Sequence, residues 1–496
     1  MRIWRIGTKW GKIDLISIFK KHELAFAGLN IQGLIVAVLP GDLICITKGQ
    51  SIEAIGKVEI VGDLATINPS LASQFAHVKA LVLNELFFLK DFPFTSNPYL
   101  GRGKQFHEAR GTYREMIEGL YNEIQRHNVK MNIKSLLEYK KQIILQGPPG
   151  TGKTRLAKEI AKEMTIKHEI SIHDIRSTLK VGLVVPSSSN YPKYTILEIT
   201  DSKIQLQLEN EKSDYPISFK DIQKAFAKRL WITGQKNGSD PYTAALSKYI
   251  FENLESEEVK LIQFHPSYSY EDFVRGIVVE TNDEKQVEYK VVNKVLAEFA
   301  QKALENQSTY YVLIIDEINR ANLPSVLGEM IYALEYRFDP QKPKETSVES
   351  MYSLASRDED QKEGRILRLP QNLFLIGTMN TADRSVGHID YAIRRRFAFV
   401  DVGPSSQPIM DVIKDPVTQK KALKLFDQVS DLFGKDYLNS DFKASEVQLG
   451  HSYFLAEDEE KLKLKLEYEI KPLLREYIKD GILKEQASTT IESLSF

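Results

Sequence analysis

The sequence predicts an α/β protein organised around a parallel sheet, and three apolar runs carry that prediction: Ile143-Ile144-Leu145, Tyr310-Tyr311-Val312-Leu313-Ile314-Ile315 and Leu373-Phe374-Leu375-Ile376-Gly377. Each is short and apolar at consecutive positions, as strands covered by helices on both sides must be. Each also leads into polar or glycine-rich residues suited to binding a ligand at the carboxyl edge of such a sheet.

The first run enters Gly147-Pro148-Pro149-Gly150-Thr151-Gly152-Lys153-Thr154, after which Leu156-Ala157-Lys158-Glu159-Ile160 reads as a helix. Strand, glycine loop and helix in that order make a phosphate-binding loop. Glycines let main-chain N–H groups turn inward around phosphate oxygens, and the helix start adds its positive dipole end. Lys153 is expected to reach the outer phosphates of a bound nucleotide, and Thr154 to place its hydroxyl on Mg2+. The second run ends in Asp316-Glu317. Asp316 is expected to hold Mg2+ through water, and Glu317 to act as base or orienting group for the water that attacks the terminal phosphate.

Around this centre the chain divides. Its 496 residues exceed one core, and 42% hydrophobic with 27% charged residues is ordinary for a globular protein. Residues 1–90 read as short strands between turns such as Pro40-Gly41 and Gly62-Asp63, a β-rich domain. A proline- and glycine-broken linker is expected over 91–105, with helical periodicity resuming near Phe106, where the nucleotide-binding domain (106–403) is taken to begin. Lys153 and Asp316 lie 163 residues apart, more than a helix and a strand require, so an α+β subdomain is expected to be inserted at about 168–245. In it Tyr194–Thr200 and Ile204–Leu208 alternate as a hairpin, and Ser218 is placed to cap a helix running to Leu230. Residues 404–496 read as a helical lid, with Ile413–Phe433 and Leu464–Ile478 as its clearest helices.

Charge and cysteine content limit the partners. A formal net charge of −1 means any nucleic-acid surface is a local patch, and ten Lys or Arg against seven Asp or Glu through residue 90 mark no phosphate-binding face. Cys45, the only cysteine, is expected in a buried strand of a protein from a reducing compartment. With no signal-like start and no run of about 18 apolar residues, the expected location is the cytoplasm, away from membranes.

The third run leads into Thr378-Met379-Asn380-Thr381-Ala382-Asp383-Arg384-Ser385 and then Asp390-Tyr391-Ala392-Ile393-Arg394-Arg395-Arg396-Phe397. These segments resemble the GTP-hydrolysing motor of McrB-type restriction systems, within the AAA+ superfamily of ring ATPases. Further matching stretches are Ile318-Asn319-Arg320-Ala321, Phe264–Phe273 and Leu449-Gly450-His451-Ser452-Tyr453-Phe454, so the likeness covers roughly 106–480 outside the insertion. The resemblance implies an AAA+ P-loop NTPase module with a helical lid. It implies GTP or ATP as substrate with Mg2+, Asn380 as the sensor amide near the outer phosphate, and Asp383 as an orienter of the attacking water. It further implies Arg395 as a finger reaching a neighbouring subunit's nucleotide, with Asp390 as its supporting acid. As partners it implies further copies in a hexameric ring, a separate McrC-like nuclease subunit, and modified duplex DNA read by the amino-terminal domain. Trp4-Arg5-Ile6, Gly41–Ile44 and Ala54–Val58 look like a PUA-like fold that holds flipped bases, making Trp4, Trp10 and Phe26 candidates for stacking as well as for core.

Other readings share part of this pattern. A MoxR-like ATPase that remodels proteins, or a nucleotide-gated scaffold, would carry the same loop and acidic pair; Met379–Arg384 favours the McrB side. No clustered acid-and-lysine arrangement suggests a nuclease site within the chain. His265 and His451 lack ligand partners at metal spacing and are expected to be structural. Tyr268, Tyr270 and Phe273 are expected to pack a loop, with pore-loop aromatics as the alternative.

Overall fold

The computed structural model describes residues 2–10, 13–26, 35, 37–48, 51–75, 78–89, 106–109, 111–165, 169–186, 193–208, 214–233, 240–254, 257–281, 286–353, 364–383 and 389–496. The expected linker at 91–105 therefore lies outside the described residues. Two compact units emerge: residues Met1–Val129 with Lys167–Glu255, and Lys130–Ile166 with Ser256–Phe496.

The second unit holds the sheet that the three apolar runs predict. Its strands are β1 (Gln142–Gly147), β2 (Val259–Gln263), β3 (Tyr311–Asp316), β4 (Leu373–Asn380) and β5 (Ala398–Asp401), in the order β2-β3-β4-β1-β5. Every pairing in it is parallel. Alternate side chains leave the strands on opposite faces, and both faces are covered. Ile143, Leu145, Val312, Ile314, Phe374 and Ile376 pack with Ala157, Ile160 and Met164 of helix α1 (Lys153–Met164) and with Ile133 and Leu137. Ile144, Leu313, Ile315, Leu373 and Leu375 pack on the other side with Leu296, Phe299 and Ala300. This double burial is why the runs are continuously apolar rather than alternating.

Inserting β4 between β1 and β3 has a direct consequence for the site. The register sets Asn380 of β4 opposite Gly147 of β1, and Gly377 opposite Ile315 of β3. The end of β4 thus emerges between the phosphate loop and the acidic pair.

Helices Pro416–Asp431, Glu459–Lys465, Lys471–Lys479 and Ala487–Ser493 form the lid around Leu425, Val429, Leu462, Ile470 and Leu474. Asp415 caps the first, its carboxylate accepting from Thr418 N–H at 2.8 Å. The expected start of this helix at Ile413 moves to Pro416, because a proline in the first turn loses no intrahelical hydrogen bond.

In the first unit a six-stranded sheet occupies the amino-terminal region, with Ile3–Gly7 paired parallel to Leu43–Lys48 and antiparallel to Phe106–Glu108. Residues 106–108 are therefore a strand of this sheet, not the resumption of helix expected there; the helix follows at Thr112–Lys140. Cys45 is fully buried in the strand Leu43–Lys48. Two of the three stacking candidates are core residues. Trp4 is buried with its indole N–H donating to Asp42 Oδ2 at 3.0 Å, and Phe26 is buried against Phe19 and Phe75. Neither is available to stack on a base; the side chain of Trp10 lies outside the described residues.

The inserted segment contains a four-stranded antiparallel meander, Val184–Pro186, Lys193–Ile199, Lys203–Leu208 and Asp214–Ser218. The expected hairpin turns at Thr200–Lys203, and Ser218 caps a helix that ends at Ala227. Among the described residues no helix is long and apolar enough to cross a membrane.

Phe374 sits in the core on the α1 side of the sheet, fully buried beneath Tyr310 at 5.0 Å between ring centroids and with the Lys141 ammonium over its ring. Phe374→Ala is expected to cost about 3–5 kcal/mol of stability, read as a lower urea midpoint for the carboxyl-terminal unit.

Candidate functional site

The backbone of the phosphate loop takes the form its glycines allow: Gly150 and Gly152 have φ of 77° and 80°, and α1 begins at Lys153. Lys153 curls back over the loop, its ammonium donating to the carbonyls of Gly147 at 2.9 Å and Pro148 at 2.7 Å. Burial pushes its pKa down to about 8, opposed by the negative charges of Glu317 and Asp316. The amine is therefore held at the loop by main-chain oxygens and faces two carboxylates.

Thr154, one residue into the helix, donates its hydroxyl to Asp316 Oδ1 at 2.6 Å. The two residues expected to share Mg2+ thus meet although 162 residues separate them. A carboxylate and a hydroxyl are the hard oxygen donors that Mg2+ prefers, so the pair fits that ion. A second hydroxyl, from Thr378 on β4, donates to the same Asp316 Oδ1, also at 2.6 Å.

Glu317 stands in the left-handed region with φ of 52°, uncommon for a residue with a Cβ. Its Oε2 is buried without a hydrogen-bond partner, and Arg320 Nε approaches it at 3.5 Å. Burial raises the Glu317 pKa, Arg320 opposes it, and Asp316 and Asp383 add repulsion. The other end of Arg320 lies 3.7 Å from Asp383 Oδ2. Asn380 completes the cluster. Its carbonyl accepts from the Asn319 amide at 3.5 Å, its side-chain oxygen accepts from Ala382 N–H at 3.3 Å, and Thr381 N–H donates to Gly147 O at 3.1 Å. Asn319 Oδ1 is a further buried oxygen with no partner. Buried oxygens without a partner are uncommon, and their clustering here singles out this edge of the sheet.

The structure thus gathers Lys153, Thr154, Asp316, Glu317, Asn380 and Asp383 at one sheet edge. Arg395 and Asp390 are elsewhere. Arg395 follows the short helix Tyr391–Arg394 and precedes β5, its carbonyl accepting from Lys140, so it lies at the amino edge of the sheet. Its side chain is 66% exposed, with Glu335 Oε2 3.7 Å away. Asp390, expected to support Arg395, instead caps that helix by accepting from Ile393 N–H at 2.8 Å. The acid beside both Arg395 and Arg396 is Glu335.

Three contributors escaped the sequence reading. Thr378 and Arg320 lay within quoted motifs, but their roles depend on register and on a three-residue reach that the motifs do not display. The third is the lid segment Gly450–Tyr453. Gly450 N–H donates to Pro149 O at 2.9 Å and Ser452 N–H to Gly150 O at 3.0 Å, so lid and phosphate loop are joined main chain to main chain. A Cβ on Gly450 would lie 2.1 Å from the Gly150 carbonyl carbon, which explains the glycine. His451 sits over Gly152, and burial, with the nearby Arg155 charge, lowers its pKa to about 4. His265 packs edge-on to Tyr268, which stacks on Phe264, while Tyr270 donates its hydroxyl to Glu329 Oε1 and Phe273 is fully buried. This aromatic set packs its own loop. Among the described residues no group of three or more His, Cys, Asp or Glu is arranged to hold a metal.

Comparison with known proteins agrees with this geometry. Residues 143–263 match the ATPase family associated with various cellular activities, 244–397 the AAA domain of the dynein-related subfamily, and 436–484 the alpha-helical lid domain of McrB. The methyl-directed type IV restriction enzyme EcoKMcrB subunit of Escherichia coli (strain K12) is 34% identical over 247 residues, covering 47% of this chain and 50% of the relative. The YdiS component of the type II restriction enzyme BsuMI of Bacillus subtilis (strain 168) is 34% identical over 120 residues, 24% of this chain and 34% of the relative. The chain thus spans half or less of the length of these relatives. A solved structure of C. elegans PCH-2 is 15% identical over 62% of this chain and 48% of that one, with a TM-score of 0.20, too slight a likeness to bear on the fold.

The electrostatics of Glu317 give a testable sign. A carboxyl whose folded pKa is raised binds protons more readily folded than unfolded, so its contribution favours folding at low pH and is lost as pH rises through the folded value. Glu317→Gln is therefore expected to raise the melting temperature of the nucleotide-free protein at pH 7–8, with the difference from wild type shrinking as pH approaches the ordinary carboxyl range. Gly450→Ala should loosen the lid from the loop locally, speeding hydrogen exchange of the amides at position 450 and at Ser452.

Proposed function

We propose that this chain, with its AAA and McrB-lid matches and its likeness to restriction-system subunits, is an McrB-like AAA+ subunit that hydrolyses GTP in preference to ATP within a homo-oligomeric ring, powering a separate McrC-like nuclease on modified duplex DNA. The observation that carries the hydrolytic part is the convergence of Thr154 and Asp316, 2.6 Å apart, beside Glu317 and Lys153. The preference for GTP, the nuclease partner and the DNA rest on the McrB likeness, and the hexameric count on the habit of AAA+ rings.

When bound, Mg2+ would be held by Thr154 and Asp316 and would neutralise charge on the phosphate oxygens. Lys153 exchanges its two carbonyl partners for the outer phosphates. Glu317, with a raised pKa and an unpaired buried oxygen, orients the attacking water and receives its proton. Asn380 presents its amide to the outer phosphate from beside Gly147, and Asp383, tied to Glu317 through Arg320, helps to hold the water. Arg395, at the opposite edge of the sheet from its own phosphate loop, completes the site of a neighbouring copy.

Subunit mixing tests this arrangement. Lys153→Ala and Arg395→Ala chains should each be nearly inactive alone. Mixed, they should regain a fraction of turnover, because some interfaces pair an intact loop with an intact arginine. No recovery, or full activity of a strictly monomeric chain, would refute the shared site. Steady-state hydrolysis of GTP and of ATP, each with and without methylated duplex DNA and the nuclease subunit, decides substrate and partner. DNA-independent turnover stimulated by a protein substrate would favour a MoxR-like role instead.

A further inference from the structure

Thr378 is buried at 2% exposure on β4, and its hydroxyl is bonded in both directions. Its proton goes to Asp316 Oδ1 at 2.6 Å, and its oxygen accepts from Glu317 N–H at 3.2 Å. The polarity of this chain is fixed, because a carboxylate only accepts and an amide N–H only donates.

Each partner needs what Thr378 provides. The paired register of β3 with β4 ends at Ile315 opposite Gly377, and the left-handed turn at Glu317 carries its N–H out of line with a continuing ladder. Without Thr378 that amide would lose the hydrogen bond that holds it. Asp316 Oδ1 takes hydroxyls from Thr154 and Thr378 together, and two donors from different elements fix the rotation of the carboxylate. Should Thr154 turn its hydroxyl to a metal, Thr378 is the donor that remains.

We propose that Thr378 is a positioning residue of the hydrolytic centre, its hydroxyl tying the metal-holding carboxylate of Asp316 to the main chain of Glu317 so that the two acids keep one spacing. This rests on the hydrolytic reading above and adds to it a residue that acts through the two acids. A packing role alone would require the shape of threonine; the positioning role requires its hydroxyl.

Thr378→Val preserves shape and removes the hydroxyl, and Thr378→Ser preserves the hydroxyl and removes a methyl. Two readouts separate the roles: steady-state hydrolysis, and binding of a fluorescent non-hydrolysable guanine nucleotide titrated with Mg2+ or measured in EDTA. The Val variant should lose roughly 10–100-fold in kcat with KM little changed, and require several-fold more Mg2+ for half-maximal strengthening of nucleotide binding. Its binding in EDTA should match wild type, and the Ser variant should restore both properties. Wild-type kcat and Mg2+ dependence in the Val variant would overturn the proposal, as would a loss confined to KM or a Ser variant as impaired as Val. If the Val variant melts early, Thr378→Cys, of similar volume and weaker donor strength, should fall between Val and Ser in Mg2+ dependence, and equality with wild type would overturn the proposal. A wild-type chain that hydrolyses no nucleotide with any partner would instead refute the reading beneath it.

Discussion

One carboxylate oxygen organises the nucleotide end of this protein. Asp316 Oδ1 receives hydroxyls from the helix after the phosphate loop and from the neighbouring strand, both at 2.6 Å. Three segments distant in sequence are thereby referred to a single atom. The parallel register places their backbones within reach, and the short charge-assisted bonds set the side chains. Lys153, the strained Glu317 and the Asn380 turn are arranged around that point.

Part of this was legible in the chain alone. The phosphate loop, the acidic strand end and the third apolar strand are each local, so glycine content, apolar run length and the residues that follow determine them. The lid and the inserted meander showed through helical periodicity and a hairpin turn. What stayed hidden was non-local or directional. Thr378 looked like one more residue of a motif, since nothing in its neighbours tells which hydroxyl crosses to the adjoining strand. Asp390 lies five residues before Arg395 but also directly before a helix, and the free N–H groups of that helix start claim it. Residues 106–108 carry too short a pattern to reveal that their partner is Trp4–Ile6. Trp4 and Phe26 show how an aromatic side chain in a β-rich domain reads alike whether it lines a slot or fills a core.

Stability and chemistry conflict at Glu317. Its carboxylate is desolvated, crowded by Asp316 and Asp383, and mounted on a backbone conformation few residues adopt. Folding tolerates these costs because the unit's core is extensive, with both faces of its sheet buried. Under the proposed function, a cation held by Thr154 and Asp316 would offset the crowding of these carboxylates.

The stitch between lid and phosphate loop has a mechanical corollary. Two main-chain hydrogen bonds and a glycine that permits contact at van der Waals limits leave little slack between Gly450 and Gly150. Any displacement of the loop would therefore be passed to the helical bundle without first taking up play. Equally, a load applied to that bundle would reach the phosphate loop through the same two bonds, so under the proposed function traction on the lid would bear on how tightly a spent nucleotide is held.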